Sequence, residues 1–407
     1  MSDATPSPRV RDLLARGVRM PNPASVEVDA SIVPERIAAD AVIHAGCRLR
    51  GAETSVGPGC ELGAEAPLTL EDSQLGANVE LKGGFVSGAV FFDGASLGSG
   101  AHVRPGTILE EEANGAHTVG LKQTILLPYV TLGSLINFCD VLMAGGTSRK
   151  NHGEVGSSYI HFNFTPHQDK ATASLIGDVP RGVFLDQPPV FLGGQGGLVG
   201  PARIGFGCVT PAGTIYRGDA PGDSLLLRAS ELPGGTRAYQ LGAYRGASRI
   251  WKNNLNYLGQ VRALLAWTRH VRALFMTGIH HRFCLEGALR QLHVVEAERM
   301  KRLEEWINKL PRSIDLLRAR NAAGDAAEAE LQARLVQRWP VVREALAGLD
   351  DGAGGREMFL NEVGKARGGR EYLAAIPALP APVKVLGAAW LQGLVDAVTR
   401  LGEEPGD

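Results

Sequence analysis

The chain has 407 residues, enough for two or three domains. Its 42 lysines and arginines balance 43 aspartates and glutamates, which argues against a general nucleic-acid binder. No apolar run reaches the roughly 18 residues of a membrane span, and the N-terminus lacks the apolar centre of a signal peptide. Five cysteines (Cys47, Cys60, Cys139, Cys208 and Cys284) lie far apart with no CxxC pair. That pattern suggests reduced thiols packed as small hydrophobes in a cytoplasmic protein.

Residues 1–30 read as an N-terminal extension. From residue 31 the chain becomes repetitive and rich in glycine. Ile37, Ile43 and Leu49, then Val56 and Leu62, then Leu75 and Leu81, then Leu97, Val103 and Leu109 recur within each group at steps of six. Three six-residue strands make one triangular coil of a parallel β-helix, with an aliphatic residue turned inward on each strand and small residues at the corners. A β-sandwich is the competing reading, but its strands recur at about 8 to 12 residues. One coil cannot bury its own apolar face, so coils must stack. The pattern resumes after residue 170, with Ile176, Val183, Leu192, Val199, Ile204, Val209 and Ile215 expected inside. Residues 186–190, "DQPPV", contain a proline pair unsuited to a sheet interior and are expected as a loop.

Beyond residue 246 the six-residue step is gone. Leu258, Val261, Leu265, Trp267, Val271, Leu274 and Phe275 follow helical spacing. A second helix extends from Cys284 to Pro311, two more helical segments fit 313–355 with Pro340 marking a break or kink, and further helices fit 357–367 and 383–402. The expected organisation is thus a β-helix domain over 31–246 followed by an α-helical domain over 247–407, the latter an independent unit.

The stretch "SSYIHFNFTPHQDKATASLIGD", residues 157–178, concentrates polar chemistry in this otherwise small-residue repeat. His161 and His167 lie within it and His152 just before it. Histidine is a natural base at neutral pH because its ordinary pKa is near 6.5; the competing role for each ring is structural hydrogen bonding. His161 and Asn163 are two apart and would share a face of a strand. Cys139 has no recognisable activating partner and reads as buried. "AGGTSRK" looks like a phosphate loop but lacks the strand–loop–helix context. His280 and His281 fall on a helix and read as surface or packing residues.

Residues 98–219 resemble the C-terminal acetyltransferase half of the bifunctional UDP-N-acetylglucosamine pyrophosphorylase/glucosamine-1-phosphate N-acetyltransferase family. The matching stretches are "AHVRPGTIL", "VGLKQT", "GSLINF", "VGSSYIHFNFTPHQDKATASLIGD" and "LGGQGGLVGPARIGFGCVTPAGTI". The resemblance implies a left-handed β-helix of hexapeptide repeats that assembles as a homotrimer. It also implies an acyl-CoA-dependent acyltransferase, acetyl-CoA being the expected co-substrate, with no metal. The acceptor would be an amino sugar, a sugar phosphate or a nucleotide sugar, bound in a groove between subunits. Carried over by position, Arg104, Lys122, Asn163, Phe164, His167 and Lys170 would bind the substrate, and Ser157 and Ala212 would lie along acetyl-CoA. The family's catalytic histidine position falls on Phe138, and a family tyrosine falls on Val141. His161, or else His152, is the expected substitute base. A three-histidine metal site of the kind held between subunits of γ-type carbonic anhydrases does not match the separations of nine and six residues here. The alternative to catalysis is a relative that binds a sugar nucleotide without turning it over and engages a protein partner through its helices.

Overall fold

Each coil of this chain hands its backbone hydrogen bonds to the next coil, so the strands are parallel and every rung depends on its neighbours. The computed structural model describes residues 5–226, 239–320 and 322–403. Its β-helix has three faces. The third face is a regular nine-stranded sheet from Val42–Ile43 to Val209–Thr210. The first and second faces merge into one bent 16-stranded sheet, because the strands Gly120–Leu126 and Asn137–Met143 run through the corner between them. At that corner Gly106, Gln123 and Asp140 all take positive φ. Glycine meets this demand without a Cβ clash; Gln123 and Asp140 meet it at a steric cost that the stacked coils impose.

The inward positions expected up to residue 109 are buried, among them Ile43, Leu49, Val56, Leu62 and Leu75. After residue 190, Leu192 and Ile204 are inward as expected, but on three other strands the inward position lies one residue away from the expected one. Leu198, Thr210 and Tyr216 sit inward, paired in their ladders with His161, Leu192 and Leu198. Val209 and Ile215, expected inside, point outward and are 36% and 40% exposed, and Val199 turns outward beside them. Val183 is not on a strand; it caps the short helix α2, Val179–Gly182. The loop expected over 186–190 is present between α2 and the strand Phe191–Leu192.

The segment before residue 31 closes the N-terminal end of the coil. Helix α1, Pro8–Ala15, starts on a Ser7 cap and buries Val10 and Leu13 completely in the coil interior, and the strand Glu27–Val28 already pairs with Arg48–Leu49.

On the second face five consecutive strands are apolar on both sides. Phe91, Leu109, Leu126, Met143 and Ile176 point inward, whereas their neighbours Val90, Ile108, Ile125, Leu142 and Leu175 point outward and stack rung on rung. The C-terminal helices cover that outward column. They are α3 (Ala247–His270), α4 (Ile279–Ile307), α5 (Leu310–Arg320), α6 (Asp325–Gly348), α7 (Ala353–Arg367), α8 (Tyr372–Ala375) and α9 (Ala381–Arg400). Pro340 lies inside α6 without ending it. Helix α4 approaches so closely that a Cβ on Gly287 would fall 2.0 Å from Gln74 Oε1 and 3.0 Å from Val90 Cγ2. Among the described residues no helix is long and apolar enough to cross a membrane.

Two buried arginines from the helices grip the two corners that bound this face. Arg272, fully buried between the rings of Phe92 and Tyr372, gives an Nη2 hydrogen bond of 2.8 Å to Glu111. Arg299 on α4 gives one of 2.6 Å to Asp140. Burial pushes the neighbouring Glu110 carboxyl up to about 7, with Arg272 acting against the shift and Glu111 adding to it. The coil's outward column and apolar side chains of α3, α4, α7, α8 and α9 therefore form one cluster, while a second cluster around Trp306 and Trp339 is made almost wholly by the helices.

Truncation near residue 245 would expose Val90, Ile108, Ile125, Leu142 and Leu175 together, roughly 1.5 to 3 kcal/mol of lost burial for each large side chain. The expected outcome is an aggregated product. A soluble, monodisperse product by light scattering would show that the coil does not need its cover.

Candidate functional site

The site develops where the first face meets the second. Val103 pairs with Leu121, and Arg104 donates its backbone N–H to Leu121 O at 2.9 Å, so Arg104 sits one rung from Lys122. Lys122 pairs with Cys139 on the next coil. The following coil leaves the strand Ile160–Phe162 and enters the loop carrying Asn163, Phe164, His167 and Lys170. The thiol of Cys139 shows that these groups converge: burial and Asp140 push its pKa up, while Lys122, Arg104 and Lys170 all pull it down. Cys139 faces this corner half-buried rather than sitting in the core. Lys170 holds its ammonium 5.9 Å from the ring centre of Phe164, which is itself 58% exposed. Helix α4 reaches the same corner. Burial raises the Glu298 carboxyl, but the hydrogen bond from Arg302 and the charges of Arg302, Arg299 and Lys122 outweigh it and hold it low.

The histidines fall in three different places. His161 points into the coil and is 3% exposed. Its Nδ1 meets the carbonyl of Cys139 at 2.5 Å and its Nε2 meets Ser174 Oγ at 2.8 Å. A carbonyl only accepts, so Nδ1 carries the proton and Nε2 accepts from the serine. Burial pushes this ring down to about 4, against the pull of Asp140 and the Cys139 carbonyl. His152 lies on a hairpin, Gly146–Ser148 with Asn151–His152, at the far corner between the second and third faces. There Arg149 anchors the hairpin to the carbonyls of Glu112 and Tyr129 and to the Thr131 hydroxyl. His167 is in the site loop but turns toward the helices. Its Nδ1 accepts from the Gly242 N–H at 3.0 Å, and its ring stacks on Tyr239 and packs on Tyr244. None of the three rings presents a free basic nitrogen to the cationic corner.

Phe138 points inward. It is 1% exposed and packs edge-on against Tyr159. No side chain at an inward position could serve as a base in an outer groove; Asn137 and Cys139 are the neighbours that face out. Asn163 donates from Nδ2 to Asp140 Oδ2 at 3.0 Å, and so shapes the loop. Ser157 and Ala212 lie together at another corner, between the third and first faces, where Ser157 Oγ accepts from the Ser134 N–H at 3.1 Å. One chain therefore brings Arg104, Lys122, Asn163 and Lys170 together and leaves Ser157 and Ala212 across the width of the first face. Asp140 and Arg299 are the site-shaping residues that repeat spacing does not reveal, since neither lies on an inward position and they are 159 residues apart.

His161 ties the site segment to pH. The unfolded ring titrates near 6.5 and the folded one near 4. Between these values the unfolded chain binds the extra proton. The stabilising contribution is fully present above pH 6.5 and drains away as pH falls toward 4, by up to roughly 3 kcal/mol. Melting temperatures measured from pH 7 to 4 should fall less steeply for His161→Gln than for the wild type. Parallel curves would mean that the ring titrates freely.

No family model matches the chain. Curated proteins named "Bifunctional protein GlmU" do match it. The protein of Thermotoga petrophila is 28% identical over 220 residues, covering 54% of this chain and 44% of the relative. That of Trichlorobacter lovleyi is 30% identical over 216 residues, 53% and 42% of the two chains. That of Thermus thermophilus is 31% identical over 216 residues, again 53% and 42%. The chain thus spans less than half the length of these relatives. Its β-helix and these matches together give a β-helix of hexapeptide repeats similar to part of the GlmU proteins, with a set of helices along one face.

Proposed function

We propose that the protein is an acyltransferase of the acetyltransferase type that acts on an amino sugar bearing a phosphate, free or nucleotide-linked. The observation that carries this reading is the cationic corner. Arg104, Lys122 and Lys170 come together there, and among the described residues none of them forms an ion pair with a carboxylate. Three cations gathered without an ion-pair partner of their own are matched by a phosphate, through charge-assisted hydrogen bonds. Arg104 and Lys122 take the phosphate, Lys170 and the exposed Phe164 flank the sugar or its nucleotide, and Asn163 keeps the loop in shape.

The donor end of the site is assigned to a neighbouring subunit. Ser157 and Ala212 sit on a different corner from the cations, so a pantetheine arm running along that corner meets the sugar only if a second chain lies against the first face. Exposed apolar side chains cluster around that corner: Leu135 at 52%, Ile160 at 41%, Phe162 at 38%, Phe191 at 42% and Ile215 at 40%. A homotrimer that buries them is the assembly we infer, and acetyl-CoA is the donor. The free state of the five cysteines supports a cytoplasmic setting.

A second reading keeps the ligand and removes the reaction. It is favoured by the histidines: Phe138 is in the core, His161 is sealed, and the His167 hydrogen bond leaves its Nε2 protonated. In that case the protein binds a sugar phosphate or sugar nucleotide and acts through assembly.

Calorimetry with glucosamine-1-phosphate and UDP-N-acetylglucosamine, paired with a thiol-release assay using acetyl-CoA, separates the two. Heat with thiol release is expected for the acyltransferase, and heat alone would establish the second reading. Arg104→Ala should weaken binding by about 1.5 to 3 kcal/mol. No heat with either ligand would remove the phosphate assignment. Light scattering on the intact protein should give three chains per particle, and a monomer at working concentration would separate the donor corner from the acceptor corner.

A further inference from the structure

We propose that Arg299 is a positioning residue through which the helical domain shapes the ligand loop within the same chain. This rests on the ligand corner assigned above. The Asp140 carboxylate is a hub on the first–second corner. Its Oδ1 accepts from Arg299 Nη2 at 2.6 Å, and its Oδ2 accepts from Asn163 Nδ2 at 3.0 Å. Arg299 uses its other arm, Nη1, on the carbonyl of Lys170 at 3.3 Å. One guanidinium therefore fixes the coil on one side and the end of the polar loop on the other, while Asn163 fixes the loop's beginning to the same carboxylate.

The geometry is enclosed. Arg299 is 2% exposed and Asp140 3%, and Asp140 takes a φ of 64° to aim its side chain outward from the corner. A planar two-armed donor suits this task, because its two diverging nitrogens reach the two acceptors separately, whereas a lysine offers a single nitrogen. Other helical-domain groups hold the loop from one side. Lys309 donates to the carbonyls of His167 and Gln168, Asn254 Nδ2 donates to Ala171 O at 3.0 Å, and Gly242 donates to His167. Among the described residues of the helical domain, only Arg299 ties the loop to Asp140, the coil residue next to Cys139. The loop is clamped between its own coil and its own α4, with Lys170 left on the side of Lys122 and Arg104. The helical domain is thus part of the site's construction as well as a cover.

The test uses full-length protein and two variants. Arg299→Lys keeps the charge opposite Asp140 and loses one arm. The double variant Asp140→Asn with Arg299→Gln removes both charges together, so that neither is left buried alone, and asparagine tolerates the left-handed backbone at 140. Hydrogen exchange is followed by mass spectrometry, and glucosamine-1-phosphate binding by calorimetry. The expected result is exchange at least about tenfold faster over 163–172, with 119–126 and 255–268 keeping wild-type protection. Affinity for the sugar phosphate should fall about tenfold in the same variants. Unchanged exchange over 163–172 in either folded variant would overturn the proposal, as would an equal rise in all three segments, which marks a merely structural pair. Faster exchange confined to the loop, with no heat from the wild type itself, would support the clamp and withdraw the sugar phosphate from the corner.

Discussion

The rest of the molecule depends on the apolar column that the second face turns outward. Val90, Ile108, Ile125, Leu142 and Leu175 form one strip along five consecutive coils. A strip of that kind left in water would associate with anything similar. Covering it fixes where α3, α4 and α9 lie, and with α4 in place a flank of the first–second corner is occupied by protein. The first face and the outer side of the third remain available for other chains. The cover therefore decides which corners can hold ligands and which faces can meet a partner.

Apolar burial is non-directional and would let the helices slide along the strip. The two buried ion pairs are directional. Arg272 engages Glu111 on one edge of the face, and Arg299 engages Asp140 on the other. Buried ion pairs contribute little net stability, because desolvation offsets their attraction, but a displaced pair leaves a bare charge costing about 3 to 5 kcal/mol. They act as pegs: a shift of the helices by one rung, near 4.8 Å, would break both. Phe92 and Tyr372 on either side of Arg272 lower the cost of burying it through cation–π contact.

Much of this was legible in the sequence. The six-residue step from Ile37 to Leu109 reports the coil because a wrong register would put aliphatic residues outside, and the loss of that step beyond residue 246 reports the helices. The cover was also written there, in doublets such as "VFF", "TIL" and "VLM", whose strands are apolar on both sides as buried parallel strands are. Six-residue counting registers only one residue of each doublet, so the helices read as independent. The same counting placed Val209 and Ile215 inside, since aliphatic type alone does not say which of two adjacent positions faces the core. In the site, Arg104, Lys122 and Lys170 were named from the resemblance to the acetyltransferase family, since a charge in a repeat of small residues reads equally as a solvated face. The orientation of Phe138 and His161 was not legible, because one residue of register separates a groove from a core.

That last point bears on how a β-helix can change its chemistry. A histidine at an inward position such as 161 is held by two partners and loses its basicity to burial, whereas an outward position one residue away would keep it. The lysines and Arg104 have no such sensitivity: their long side chains reach solvent from any rung on the corner. Phosphate recognition is therefore robust to small shifts of register along the coil, and proton transfer is fragile. A chain of this design can keep its ligand corner while the residue that would move a proton is relocated or lost. The Arg299–Asp140 hub bears on the first of these and not on the second, since the buried Asp140 carboxylate is held on one oxygen by Arg299 and on the other by Asn163 and faces protein rather than an open groove.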